Sequence, residues 1–281
     1  MMPLPKTKSS GFTLIELVAV IVLLGIVGIA TTQFIGQGVG IYVDTARRDN
    51  LQQLGRFAIE RISREVRNAA PGSVRVSGDC IEYTPIEAAS SYLGSVADSE
   101  MSSFQAVDFV YTDSAVPNRR VAIYTVENQD IYNSNREAVI DLDHVDTANS
   151  FQRQVNLKNY VGSGHQFSSE SPTSRFFIIT QPVSFCVRAN QLFRHSSYGW
   201  LTIQATDTGT IGSGVKLAEF FQAFDDTDGD GEVDDPITIF SYAAGTLQRS
   251  GVVSLDFRLS DPGAADEWMR FSHQVFVRNT P

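Results

Sequence analysis

The chain is short of cations and of cysteine. Its 22 lysines and arginines face 32 aspartates and glutamates, a formal charge of −10, and such a polyanion is a poor holder of phosphate backbones, so nucleic acid is not an expected partner. Two cysteines, Cys80 and Cys186, and four scattered histidines, His144, His165, His195 and His273, offer no zinc-ligand spacing. Each histidine reads as a surface or satisfied core residue. No glycine pattern matches a phosphate loop or a dinucleotide fingerprint; Gly209, Gly212 and Gly214 read as a turn. No serine stands in a nucleophile elbow, and with so many carboxylates none is marked as an acid or base, so no enzymatic activity is expected. Internal repeats and proline-rich linkers are missing as well.

Only one long hydrophobic run is present. Phe12 to Ile35 covers about 24 residues, roughly 36 Å of helix, enough to cross the ~30 Å apolar core of a bilayer. It carries one carboxylate, Glu16, near its start. An acidic side chain at the centre of such a helix costs roughly 2.5–3.5 kcal/mol, less near an end, so Glu16 is expected to have a use. Lys6 and Lys8 precede the run, whereas Asp44, Arg47, Arg48 and Asp49 behind it cancel. That asymmetry predicts a cytoplasmic N-terminus, an inner-membrane span and an exported remainder. The run is longer than the apolar part of a secretory signal, and its basic leader ends in Gly11, so cleavage is expected before the run and not after it. Losing Lys6 and Lys8 takes the formal charge to about −12.

Beyond the run, Gly36, Gly38 and Gly40 weaken helix propensity, and a bend or melted turn is expected there. Leu51, Leu54, Ala58, Ile62, Val66 and Ala69 then recur at helical spacing, with Arg47, Glu60, Arg61, Arg64 and Glu65 on other faces. This amphipathic helix is expected to stop at Ala70, Pro71 and Gly72. From residue 73 the pattern turns to short β-rich runs: residues 74–76, 81–83, 107–111, 121–126, 176–180, 183–187, 252–259 and 271–277. Polar stretches at 88–103 and 146–175 read as loops. The expected fold class is α+β, with a long N-terminal helix packed on an antiparallel β-sheet globular domain. The expected organisation is a leader over 1–11, a stem helix over 12–70 with its membrane part at 12–35, and a β-rich domain over 71–281.

Gly11-Phe12-Thr13-Leu14-Ile15-Glu16-Leu17 resembles the processing site of type IV prepilins and type II secretion pseudopilins. The resemblance implies a pilin-like fold, a prepilin peptidase that cuts between Gly11 and Phe12 and methylates Phe12, and assembly with other major and minor pilins or pseudopilins through the N-terminal helix. It also implies that Glu16 neutralises the terminal amine of a neighbouring subunit. The physics agrees, because an ammonium and a carboxylate are each costly in hydrocarbon alone and recover much of that cost together. A domain this large behind the stem suggests a minor subunit. Residues 180–187 and 190–194 resemble a segment of W-type minor pilins and J-type pseudopilins, and the layout resembles O-type minor pilins of mannose-sensitive haemagglutinin pili. Minor pseudopilins of the K type lack the carboxylate, so Glu16 favours a place beneath the extreme tip. A type IV pilus and a secretion pseudopilus both remain open, as does a pilus-mounted adhesin or DNA-uptake binder.

Cys80 and Cys186 both fall in the exported part, where a disulfide is expected over two separately buried thiols; a loop this long implies about 4–5 kcal/mol in the chain-entropy model. Residues 225–235 pack seven carboxylates into eleven positions. Asp226, Asp228 and Asp230 fill the first, third and fifth places of a calcium loop, with Glu232 at the backbone-carbonyl place and Asp234 at the ninth; Ile237 stands where the bidentate glutamate belongs. A structural Ca²⁺ site outside a helix-loop-helix frame is expected, with a solvated acidic turn as the alternative. Arg119-Arg120 and the doublets Phe176-Phe177 and Phe220-Phe221 are weak signs of a ligand surface; each doublet reads as one core residue beside one exposed neighbour.

Overall fold

The computed structural model describes residues 11–111, 118–133, 138–158, 164–222, 224–225, 235–236, 238–246, 249–264 and 268–278. The chain divides into two units, residues 1–50 and 51–281. From Leu14 onward the first is helix, the opening part of α1 (Leu14–Val66). No melted turn interrupts α1 at Gly36, Gly38 and Gly40; helix continues through all three. Each glycine costs about 1 kcal/mol relative to alanine in a helix interior, but long stretches of helix on both sides carry the backbone ladder through the triplet. Thr31, Thr32 and Thr45 turn their hydroxyls back onto the carbonyls of Val27, Gly28 or Ile29, and Ile41, so none needs a partner outside the helix.

The second unit opens with the rest of α1, which buries Leu51, Gly55, Ala58, Ile62, Ser63 and Val66 along one stripe, as the spacing predicts. The helix stops at Val66, earlier than the Pro71 signal. The Asn68 amide side chain donates to the Ile86 carbonyl, Ile86 N–H to the Asn68 carbonyl and Ala70 N–H to the Thr84 carbonyl, which draws the backbone out of the helix. The elements that follow are β1 (Arg75–Ser77), β2 (Cys80–Tyr83), β3 (Ile86–Leu93), β4 (Ser103–Val107), β5 (Arg120–Ala122), α2 (Asn128–Tyr132), β6 (Val139–Asn149), β7 (Gln152–Leu157), β8 (Arg175–Ile179), β9 (Val183–Arg188), β10 (Gln191–Ser196), α3 (Thr208–Ile211), β11 (Val215–Glu219), β12 (Phe221–Gln222), β13 (Phe224–Asp225), β14 (Asp235–Pro236), β15 (Phe240–Ala243), β16 (Gly251–Ser260) and β17 (Trp268–Val277).

All named strand pairings are antiparallel, and they build two lobes. In the first, a five-stranded sheet in the order β1-β2-β9-β10-β11 and a second sheet centred on β16 share one core with α1. Leu51, Ala58, Ile62 and Val66 meet Tyr83, Phe185, Leu192, Phe221, Phe240 and Phe257 there. β16 pairs with β17 along its length and with β15 and β12. In the second lobe, β3-β4-β7-β6-β5-β8 close into a six-stranded barrel. Its interior holds Tyr92, Phe104, Ala106, Val121, Ile140, Val155, Leu157, Phe167, Phe176 and Ile178, with the Phe104 and Phe176 rings edge to face at 5.2 Å.

The barrel corrects the reading of two polar loops. Residues 88–93 belong to β3, residues 146–149 to β6, and residues 152–157 to β7. A closed barrel needs apolar side chains only at alternate positions, so Gln152-Arg153-Gln154-Val155-Asn156-Leu157 buries just Val155 and Leu157. In β3, Ala89 and Ser90 lie opposite Phe177 and Phe176, small residues against large ones. The run at 107–111 is also shifted: β4 ends at Val107, and Phe109 and Tyr111 leave the strand to pack on the barrel core. Both members of the Phe176-Phe177 doublet are buried, because β8 faces the barrel core on one side and a junction cluster of Ala70, Ala122, Ile131, Tyr132, Val139 and Ile179 on the other.

Candidate functional site

The N-terminal end of α1 is built by Thr13. Its carbonyl accepts from the backbone N–H of Glu16 at 3.1 Å and of Leu17 at 3.2 Å, and its hydroxyl accepts from the same Glu16 N–H at 3.4 Å. Thr13-x-x-Glu16 thus has the spacing of a capping box. The returning half is missing, for among the described residues no hydrogen bond or ion pair reaches the Glu16 carboxylate. It stands at the positive end of the helix dipole, which favours a negative charge. Around it every residue from 11 to 46 is exposed, including Phe12, Leu14, Ile15, Leu17 and Val18. Among the described residues, α1 is the one helix long and apolar enough to cross a membrane.

Gly11 lies just before this cap. A Cβ placed on it meets nothing within 4 Å, and its φ is not in the left-handed region. Among the described residues, neither space nor backbone geometry calls for glycine there. Phe12 beside it is exposed and non-helical.

The remaining sequence-derived sites fall elsewhere. Cys80 and Cys186 form the disulfide; they sit directly opposite one another on β2 and β9, both buried, in a small cluster capped by Ile211. Asp226, Asp228, Asp230, Glu232 and Asp234 lie outside the described residues. β13 and β14 flank that stretch and pair Asp225 with Asp235, so its frame is a hairpin and not a pair of helices. No cluster of metal-ligating side chains occurs among the described residues.

Arg119-Arg120 is not a basic surface. Both side chains are buried, Arg119 on Glu87, and Arg120 on Asp141 at 2.9 Å with its guanidinium 4.2 Å from the Trp200 ring centre. A half-buried cation escaped sequence reasoning: Arg75 pairs with buried Glu82 at 2.9 Å, donates to the carbonyls of Leu201 and Thr202, and lies over the Tyr132 ring at 3.7 Å. Burial pushes the Glu82 carboxyl up, with Arg75 opposing the shift. Isolated charges in mixed sequence carried no signal for this pairing. His195 is fully buried; burial lowers its basicity, aided by Arg188 and opposed by hydrogen bonding to the backbone at Ile211 and Gly212.

The family model for the prokaryotic N-terminal methylation motif matches residues 6–32. Neither the curated proteins nor the solved structures include a match to the chain. The matched segment holds the helix cap, the unpartnered carboxylate and the glycine that the fold does not require, together with most of the exposed apolar run. With this motif on a membrane-length helix ahead of an α+β domain, the chain is type IV pilin-like, a pilin or pseudopilin.

Proposed function

We propose that the chain is a minor pilin of a type IV pilus, of the mannose-sensitive haemagglutinin type, a structural subunit without enzymatic activity. Prepilin peptidase cuts it after Gly11 and methylates Phe12. The N-terminus lies in the cytoplasm and the domain from residue 51 onward in the periplasm until the subunit enters the filament, where it helps initiate or cap assembly. The observation that carries the reading is Glu16: one unpartnered carboxylate on an otherwise apolar, wholly exposed helix end inside the methylation motif. A carboxylate of this kind is tolerated in a membrane when a cation from a partner reaches it, and the amine of a processed neighbour supplies one.

Glu16→Ala tests the pairing. The variant is expected to be cleaved normally and to accumulate in the membrane but to be lost from sheared filaments and from co-purified pilin complexes. Normal incorporation would remove Glu16 from the assembly mechanism. A J-type pseudopilin of a type II secretion system carries the same stem, and the identity of the co-purifying subunits separates the two. The loop at 225–235 is proposed to hold a structural calcium ion. The support is its ligand spacing in the sequence and the β13–β14 hairpin that brings its ends together.

A further inference from the structure

Where the barrel meets the sheet lobe there is a cavity of about 440 Å³, lined by Asn68 and Pro71 after α1, by Ile86, Ala89, Ser90 and Ser91 of β3, by Arg175 and Phe177 of β8, and by Arg278 after β17. Its size falls in the range of small-molecule sites and far exceeds what an inorganic anion fills. Two guanidiniums line it and no carboxylate does among the described residues, in a chain with ten more acidic than basic side chains. Arg278 is exposed and forms no ion pair among the described residues, and the Ser91 hydroxyl has no partner among them. The Ser90 hydroxyl donates to the Val107 carbonyl, which fixes its position at the rim. Phe177 and Ile86 supply an apolar wall.

We propose that this cavity binds an acidic sugar, a saccharide ring bearing a carboxylate. Arg278 is matched to the carboxylate, since a guanidinium fork recognises a carboxylate bidentately, and Arg175 adds positive charge to the same lining. Asn68, Ser90 and Ser91 are matched to ring hydroxyls, and Phe177 to an apolar ring face. A ligand here touches both lobes and therefore stabilises their junction by mass action. The assignment goes beyond the filament role and holds for a pilin or a pseudopilin alike.

The test is calorimetric titration of the full chain in detergent with glucuronate, galacturonate and N-acetylneuraminate, with glucose and inorganic phosphate as controls. At least one acidic sugar is expected to bind saturably at millimolar or lower concentration, more tightly than phosphate, with no heat from glucose. Arg278→Gln, on an exposed side chain outside the strands, is expected to weaken that binding about tenfold or more, as loss of one charge-assisted hydrogen bond does. Ser91→Ala is expected to weaken it by a smaller factor while leaving the melting temperature of the free protein unchanged. No binding by any of the three sugars overturns the assignment. So does binding that Arg278→Gln leaves intact, or phosphate binding as tight as that of the best sugar.

Discussion

Gly55→Ala sets two physical effects against each other. In an exposed helix interior, alanine is better than glycine by about 1 kcal/mol. At Gly55, however, an added methyl would run into the ring of Phe271 on β17. That ring cannot simply swing away, because it is stacked on Phe257 at 5.6 Å with 21° between planes, and Phe257 is itself buried. Overpacking of this kind costs about 1–3 kcal/mol, so the net expectation is a loss of about 0–2 kcal/mol where propensity alone predicts a gain. For a domain of this size that is a fall in Tm of a few degrees, with each kcal/mol worth about 2–4 °C. Thermal unfolding of the full chain in detergent, followed by far-ultraviolet circular dichroism, reads it. The Phe271→Ala background supplies the second arm: with the ring gone, Gly55→Ala is expected to turn stabilising by about 1 kcal/mol. A rise in Tm from Gly55→Ala in the native background would refute the close approach of α1 and β17.

Further expectations follow from the disulfide, the titrating groups and the acidic loop. Replacing Cys80 and Cys186 together by serine is expected to cost about 2–5 kcal/mol, checked by urea unfolding against the oxidised parent; an unchanged midpoint would contradict a role for the bond in stability. Glu170 accepts hydrogen bonds from Ser95, Tyr92 and the N–H groups of Val96 and Ala97, with the Ser95 hydroxyl foremost in holding its pKa down to about 2. Its contribution is therefore present above the ordinary glutamate range and is lost as pH falls from there toward 2, and Glu170→Gln is expected to flatten that limb of a stability-pH curve. His195 is lowered by burial, so the native state resists protonating it; stability is expected to begin falling below about pH 6.5, and His195→Gln should remove that upper limb. Millimolar calcium is expected to raise Tm in the parent and not after Asp228→Ala; an equal response in both would eliminate the calcium loop.

How much could be read in advance depended on whether a residue's role is local. The membrane run, the Glu16 anomaly and the stripe from Leu51 to Val66 are periodic along one helix, so spacing alone reveals them. The largely buried strands β8, β9 and β16 are continuous or alternating apolar runs and were equally plain. β3 and β7 were not, because they bury few residues, Tyr92 in β3 and Val155 and Leu157 in β7, and fill other positions with Ser, Gln, Asn and Arg, the composition of a loop. The helix end at Val66 depended on hydrogen bonds to Thr84 and Ile86, partners almost twenty residues away. The two arginines at 119 and 120 looked like a surface pair only because Glu87, Asp141 and Trp200 lie far off in the chain. The cavity at Arg278 joins four separate segments, and no one of them carries a motif.

Intact-mass and N-terminal tandem mass spectrometry of the chain recovered from membranes bears most directly on the central claim, that the N-terminal segment is a processed assembly helix. The account predicts that the first residue is Phe12, carrying one N-methyl group, and that the apolar run to Ile35 is retained. A chain that still begins at Met1, or one cut beyond Ile35 so that Glu16 and the helix are gone, would contradict it.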